Sequence, residues 1–276
     1  MTFRDSVQAA GRVLTRALLH PRWRQFTPVA NTYLTLYLTG KRLTEKRELA
    51  LLQTLVEPGM TIADIGANVG FYAVQMGQWV GGGGRVLAFE PDPFTFELLR
   101  RRTSAATPAN IEVRQFALGD ERGTATLYCS AYNRADNRVG QRHDEPNVEA
   151  IEIEVRTLDE YLAERGLPAV DAMKIDVQGL EANVLRGAKQ TIAGGVRWIW
   201  LEFSPDHLRG AGTDPEGFLE SLGALDMKVF EVTEQGTLEP LTDFRAHAKK
   251  MGSGYGDLVL MRDSPRQSAA APAARP

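Results

Sequence analysis

The sequence predicts a Rossmann-like α/β fold: a mostly parallel central sheet with helices on both faces, an N-terminal helical extension and a β insertion. Three observations point there. Short, nearly continuous apolar runs such as Val86-Leu87-Ala88-Phe89 alternate with helical stretches, the texture of strands buried on both faces. A glycine turn, Gly66-Ala67-Asn68-Val69-Gly70, links the first such strand to a helix. The 276 residues are 43% hydrophobic and 24% charged, which is enough to bury a sizeable core without disulfides or metals.

The elements follow in order. Residues 1–58 read as mostly helical, interrupted at Pro21 and Pro28, with a helix over 46–56 that Pro58-Gly59 ends. A strand over 61–64 precedes the glycine turn, and a helix over 71–80 stops at the four glycines 81–84. The second strand is 85–90. The helix 93–104 opens on Pro93, where the missing N–H costs nothing. A third strand is expected over 111–116. Residues 124–128 and 151–156 alternate like half-exposed strands around the polar stretch 130–146, and so form an insertion in the α/β pattern. Alternation then resumes with a helix over 158–165, a strand over 170–176, a helix over 180–192 and a strand over 196–203. A helix over 215–223 and strands over 228–232 and 256–261 complete it. The expected organisation is an N-terminal extension, 1–45, a single domain, 46–262, with its insertion at 124–156, and a disordered Ala/Pro/Ser/Arg tail, 263–276.

The net charge of -3 argues against a general nucleic-acid binder. The lone cysteine, Cys129, cannot form an internal disulfide and suits a reducing compartment. No apolar run is long enough to span a bilayer, and the N-terminus lacks a signal-like pattern, so the cytoplasm is the expected location. Leu14, Ala17 and Leu18 among Arg4, Arg12 and Arg16 fit an amphipathic helix. It can pack on the domain, rest on a membrane surface or cover the acceptor site.

In such a sheet, ligands sit at the carboxyl ends of the strands, so four segments should carry the chemistry. The first is the turn after Asp64. It lacks the second glycine of a dinucleotide fingerprint, because Asn68 stands there, and it lacks the Gly-Lys-Ser/Thr of a P-loop. A turn without phosphate features suits a phosphate-free ligand such as S-adenosylmethionine. Asp64 can then meet its cationic end while Gly66 and Gly70 shape the loop. The second is Glu90, with Pro91, at the end of the second strand and twenty residues beyond Gly70, where an acid can accept hydrogen bonds from both ribose hydroxyls. The third is Gln115-Phe116-Ala117-Leu118, whose backbone or Gln115 side chain can meet the adenine edge, or which can be an ordinary strand end. In the fourth, Asp176 ends an apolar strand, and Gly179 turns the chain toward Glu181, which can flank the methyl path or merely favour a helix N-terminus. No metal-ligand spacing is present, and no metal is expected.

Taken together these residues resemble the FkbM family of methyltransferases. The matching pieces are Asp64-Ile65-Gly66-Ala67-Asn68-Val69-Gly70-Phe71-Tyr72, Ala88-Phe89-Glu90-Pro91-Asp92-Pro93, Thr157-Leu158-Asp159-Glu160-Tyr161-Leu162 and Lys174-Ile175-Asp176-Val177-Gln178-Gly179-Leu180-Glu181, leading into Val184-Leu185-Arg186-Gly187-Ala188. The resemblance covers roughly 45–205 and implies a class I methyltransferase fold. It also implies methyl transfer from S-adenosylmethionine to a hydroxyl of a sugar, glycolipid or natural product. Where the family often has Asp-Val-Glu-Gly, this chain has Gln178 in place of the glutamate.

Transfer to an alcohol needs the acceptor oxygen held in line and its proton removed. The candidate bases are Asp176, Glu181 and His207. Expected cofactor contacts are Asp64, Gly66, Asn68, Gly70, Glu90, Pro91, Gln115, Ala117 and Asp176. His143 is expected to be solvated, and Trp198 and Trp200 to be core residues. The expected partner is a small-molecule, sugar or lipid-linked acceptor, with no nucleic acid and no integral membrane segment; a homodimer is compatible. The alternatives are a nicotinamide-dependent oxidoreductase and a non-catalytic S-adenosylmethionine-binding module.

Overall fold

The computed structural model describes residues 27–130, 136–140, 148–167 and 169–263. The expected basic helix around Arg12, His143 and the tail lie outside these residues. Helix α1 (Thr27–Thr44) begins with Pro28 in its first turn, so this proline starts a helix rather than interrupting one. Helix α2 (Lys46–Leu55) follows, and then the alternating core begins: β1 (Thr61–Ile65), α3 (Phe71–Val80), β2 (Arg85–Phe89), α4 (Pro93–Ser104) and β3 (Ile111–Arg114). Asp92 caps α4 by accepting from the Phe94 N–H at 3.1 Å and the Thr95 hydroxyl at 2.8 Å.

The insertion comprises β4 (Ala117–Leu118), β5 (Gly123–Cys129), β6 (Arg138–Val139) and β7 (Glu149–Arg156), which form their own sheet in the order β4-β7-β5-β6. Then come α5 (Leu158–Arg165), β8 (Ala172–Ile175), α6 (Glu181–Arg186), α7 (Lys189–Ala193), β9 (Trp198–Phe203), α8 (Pro205–Gly210) and α9 (Pro215–Gly223). Strands β10 (Lys228–Val232) and β11 (Leu238–Pro240), helix α10 (Phe244–Met251) and β12 (Gly256–Met261) close the chain. The main sheet runs β11-β10-β12-β9-β8-β1-β2-β3. Strands β3, β2, β1, β8 and β9 run parallel to one another, whereas β12 pairs antiparallel with β9 and β10, and β11 antiparallel with β10. Because β1 is flanked by β2 on one side and β8 on the other, the strand order reverses there, and that is where such sheets open a crevice.

The period-2 alternation of the strands sorts side chains to two faces. Ile65, Phe89, Ile175 and Leu201 join one core cluster; Ile62, Val86, Ala172, Trp198 and Trp200 join the other. Asp64 lies two residues beyond Ile62, Lys174 two beyond Ala172, and Glu202 two beyond Trp200. The second face thus turns polar at the strands' carboxyl ends. The register aligns Asp64, Lys174, Trp200 and Val259 in one row and sets Glu202 opposite Asp257.

Two expectations change. The helix over 180–192 is split into α6 and α7 at Gly187-Ala188. A methyl group on Gly187 would lie 1.9 Å from the Gly119 carbonyl oxygen, so this backbone crossing admits only glycine. The Gly187 carbonyl accepts from the Asp159 N–H at 3.1 Å, and the Asp159 carboxylate caps α7 by accepting from the Gln190 and Thr191 N–H groups at 2.8 Å. The substitution Gly187→Ala should destabilise by about 1–3 kcal/mol and lower Tm by about 2–4 °C for each kcal/mol lost, read by differential scanning calorimetry. The second change is α10, a helix not expected from the sequence. Its first turn is capped by Asp243, which accepts from the Ala246 N–H at 2.9 Å, and it buries only His247 and Ala248, too slight an apolar face to read as a pattern.

Candidate active site

A cavity of about 1160 Å³ opens at the carboxyl ends of β1, β2, β8 and β9. Strand β1 delivers Asp64, fully buried, and among the described residues neither carboxylate oxygen meets a donor at hydrogen-bond geometry. The charges of Lys174 and Lys41 and a looser approach by the Ala73 N–H oppose its burial. Burial, with repulsion from Asp176, pushes its carboxyl up to about 6.

The turn after β1 is built around Gly66, whose φ of +79° favours glycine. A methyl group there would sit 1.9 Å from the Asp176 carbonyl oxygen, so the two loops pack backbone to backbone. Asn68 also holds a left-handed φ, +50°, and accepts from the Val69 N–H at 2.7 Å. The Gly66 and Ala67 N–H groups donate to the Phe89 carbonyl, at 3.0 and 2.9 Å, which ties this turn to the end of β2. There Glu90 is 7% exposed. Its Oε2 accepts from the Asn68 N–H and its Oε1 from the Asp92 N–H, both at 2.9 Å. Burial and the neighbouring Asp92 push this carboxyl up to about 8 despite both bonds.

Opposite lies Asp176, just past β8. Burial would raise its carboxyl, but Lys174 (3.5 Å from Oδ2), Lys41 and the Gln178 amide outweigh that and hold it below the usual range. Gln178 stands at φ +55°, a left-handed conformation that costs a non-glycine residue about 1–2 kcal/mol. Its amide donates to Asp176 at 2.9 Å and to Glu202 at 3.0 Å. Burial and the carboxylates of Asp176, Glu181 and Asp257 push Glu202 well up, and burial lifts Asp257 to about 6. His207, on α8, lies 3.8 Å from Glu202 through Nδ1 and 3.3 Å from the Arg138 guanidinium through Nε2. Burial and Arg138 lower its pKa.

Helix α1 and the residue that follows it cover one side. Lys41 pairs with Glu45 at 3.1 Å, and Glu45 accepts from the Tyr72 hydroxyl. The Lys41 and Lys174 ammonium groups lie 4.9 and 4.5 Å from the Tyr72 ring centre. Leu36 and Tyr255, 42% and 50% exposed, also line the cavity. From the insertion, Asn137 donates to Asp92 at 3.0 Å and accepts from the Ser130 N–H at 3.0 Å, so the second sheet braces the Glu90 loop.

Of the residues singled out in the sequence, Asp64, Gly66, Asn68, Glu90, Pro91, Ala117, Asp176 and His207 line the cavity. Gly70, Gln115 and Glu181 do not. Gly70 starts α3, and a methyl group on it would meet the Leu99 side chain at 2.7 Å. Strand β3 ends at Arg114, leaving Gln115 exposed while Phe116 turns inward to the cavity wall. Glu181 is 1% exposed and faces its own loop, where Oε1 accepts from the Val177 and Gly179 N–H groups at 3.3 and 3.2 Å; burial lifts it to about 7. Trp198 and Trp200 are buried core residues, as expected, and Trp200 also floors the cavity. The sequence reading missed Lys41, Asn137, Tyr255 and Asp257. Asp257 opens β12, and only that strand's antiparallel pairing brings its start beside the end of β9. Among the described residues, no group of three His, Cys, Asp or Glu side chains is arranged to hold a metal, and no helix is long and apolar enough to cross a membrane.

Several known proteins are similar to this chain in sequence. The 2-O-methyltransferase NoeI of Sinorhizobium fredii is 27% identical over 57% of this chain and 69% of its own length. The 31-O-demethyl-FK506 methyltransferase FkbM of Streptomyces tacrolimicus is 30% identical over 53% of this chain and 66% of its own length. Methyltransferase 1 of Beauveria bassiana is 29% identical over 46% of this chain, and the match spans 57% of the fungal protein. The model of the methyltransferase FkbM domain matches residues 64–234, from the buried Asp64 through Glu90, Asp176 and His207, and this chain belongs to the FkbM methyltransferase family.

Proposed function

We propose that this chain transfers the methyl group of S-adenosylmethionine to a hydroxyl oxygen of a sugar, glycolipid or natural-product acceptor. The observation that carries the reading is Asp64, buried with both oxygens lacking a hydrogen-bond donor, in the same cavity as Glu90 and a phosphate-free glycine turn. A ligand with a cationic amino group and a ribose suits this pair. The ammonium supplies the donors Asp64 lacks, and Glu90, already gripping the turn, accepts from the ribose hydroxyls. Gly66 and Asn68 shape the turn, Pro91 borders it, and Phe116 and Ala117 form the apolar wall suited to adenine. When bound, the donor supplies a methyl carbon already activated by its sulfonium. The chain's own part is to place the acceptor oxygen in line and take its proton at Asp176. Relatives named for a 2-O-methyl transfer, for FK506 and for a hexuronic acid support hydroxylated acceptors. The acceptor would enter past Leu36 and Tyr255.

Calorimetry with S-adenosylmethionine, S-adenosylhomocysteine and NAD tests this. Binding of NAD alone would replace it with an oxidoreductase. Donor binding without transfer to any hydroxylated acceptor would leave a binding module.

Donor binding should also release protons. Burial pushes the Glu90 and Asp64 carboxyls up to about 8 and about 6, and a ligand offering a cation and hydroxyl donors favours their ionised forms. At neutral pH about one proton should leave on binding, and affinity should rise as pH climbs toward 8. Without ligand the sign reverses for stability: the fold holds the Glu90 proton longer than the unfolded chain does, so stability falls between the ordinary 4.5 and about 8. Calorimetry of S-adenosylhomocysteine in buffers of different ionisation enthalpy measures the proton count; a count of zero at neutral pH contradicts the upward shift of Glu90.

A further inference from the structure

We propose that Gln178 is a positioning residue whose single amide nitrogen clamps Asp176 and Glu202 side by side, so that the two carboxyl groups grip the acceptor hydroxyl as a pair. The inference rests on the methyl-transfer reading for its purpose, but its geometry stands apart from that reading. Nε2 lies 2.9 Å from Oδ1 of Asp176 and 3.0 Å from Oε2 of Glu202. An amide nitrogen has two hydrogens, and here each carboxyl group takes one.

The pairing of β8 with β9, Ile175 beside Leu201, brings the residues just beyond, Asp176 and Glu202, to adjacent strand positions. Two carboxylates so placed repel, and a donor between them relieves the repulsion. The backbone is committed to the arrangement as well: Gln178 keeps φ at +55°, in the left-handed region that a residue with a side chain rarely adopts. All three side chains line the cavity.

The surroundings divide the pair. Asp176 faces Lys174 from its own strand and Lys41 from α1, and its carboxyl stays low against burial. Glu202 faces Asp176, Glu181 from α6 and Asp257 from β12, which outweigh the opposing charge of Lys174, and its carboxyl stays high. His207 from α8 stands 3.8 Å from Glu202. These surroundings favour the charge on Asp176 and the proton on Glu202, the division of labour expected of an acid and a base sharing a site. Glu202 can donate to one lone pair of the acceptor oxygen, leaving the other lone pair facing the methyl group. As the oxygen–carbon bond forms, the hydroxyl proton passes to Asp176 and the sulfur keeps the electron pair of the broken carbon–sulfur bond. Asp176 then gives its proton to solvent.

A glutamate at position 178 could not donate when ionised and would add a third acid. The test is carboxyl-carbon NMR titration of protein labelled at Asp and Glu, with and without S-adenosylhomocysteine. Resonances are assigned with D176N and E202Q. The titration midpoint of Asp176 should rise by about one pH unit in Q178M and further in Q178E. Q178M keeps length and adds no charge, so it decides the matter if Q178E fails to fold. An Asp176 midpoint unmoved in the folded variants overturns the clamp. The ligand-free titration reports on the clamp even if the wild-type chain binds no S-adenosylhomocysteine, a result that would instead defeat the methyl-transfer reading.

Discussion

Asp176→Asn should lower methyl transfer by about 10²–10⁴-fold, the contribution of a positioned general base, while shifting donor affinity far less. The asparagine is nearly isosteric and keeps the backbone N–H that donates to the Ile65 carbonyl at 2.9 Å, so the strand end holds. What it loses is the ability to take a proton. Lys174 keeps a counter-charge in Asp64, which limits the structural cost. The assay is transfer of radiolabelled methyl from S-adenosylmethionine to whichever of a panel of glycosides and lipid-linked sugars the wild-type chain methylates. Full activity in the variant excludes Asp176 as the base and shifts attention to His207, which also lines the cavity. Glu181 is a poor substitute, because one of its oxygens is engaged by two backbone N–H groups of its own loop.

How far the sequence foretold this site depended on whether the signal was local. The turn from Asp64 to Gly70 and the acid at Glu90 were legible because a strand, a glycine turn and a second strand follow one another at fixed intervals, and the sheet then sets the two loops side by side. Asp176 was legible for the same reason, as the first polar residue after a buried strand. Gln115 was misplaced because the strand stops at Arg114 and the chain bends, so a reading by strand register put the wrong neighbour inward and missed Phe116. Glu181 was misjudged because spacing cannot tell a carboxylate facing a cavity from one facing its own loop. Asp257 and Lys41 were invisible for a different reason: each lies far from the motifs in sequence and enters only through antiparallel pairing or the fold-back of α1. The sequence also implied more helix around Gly187 than the backbone crossing with Gly119 allows.

Glu90→Ala should weaken binding of S-adenosylhomocysteine by about 100-fold or more, because hydrogen bonds to a charged acceptor contribute about 1.5–3 kcal/mol each and two would be lost. The truncation leaves the Asn68 and Asp92 N–H groups without their present acceptor, but they border a wide cavity where water can replace it. It also removes a buried acid that ionises reluctantly, so Tm should change little and the loss should appear in affinity. Glu90→Gln separates charge from shape. It retains one acceptor oxygen, so affinity should fall by less than in the alanine variant, and it has no proton to give up. The rise in wild-type affinity toward pH 8 should therefore flatten in Glu90→Gln, leaving only the weaker dependence contributed by Asp64 near 6. Calorimetry across that pH range decides. A wild-type pH dependence that persists unchanged in the glutamine variant would show that the titrating group is not Glu90 and would detach it from the ribose.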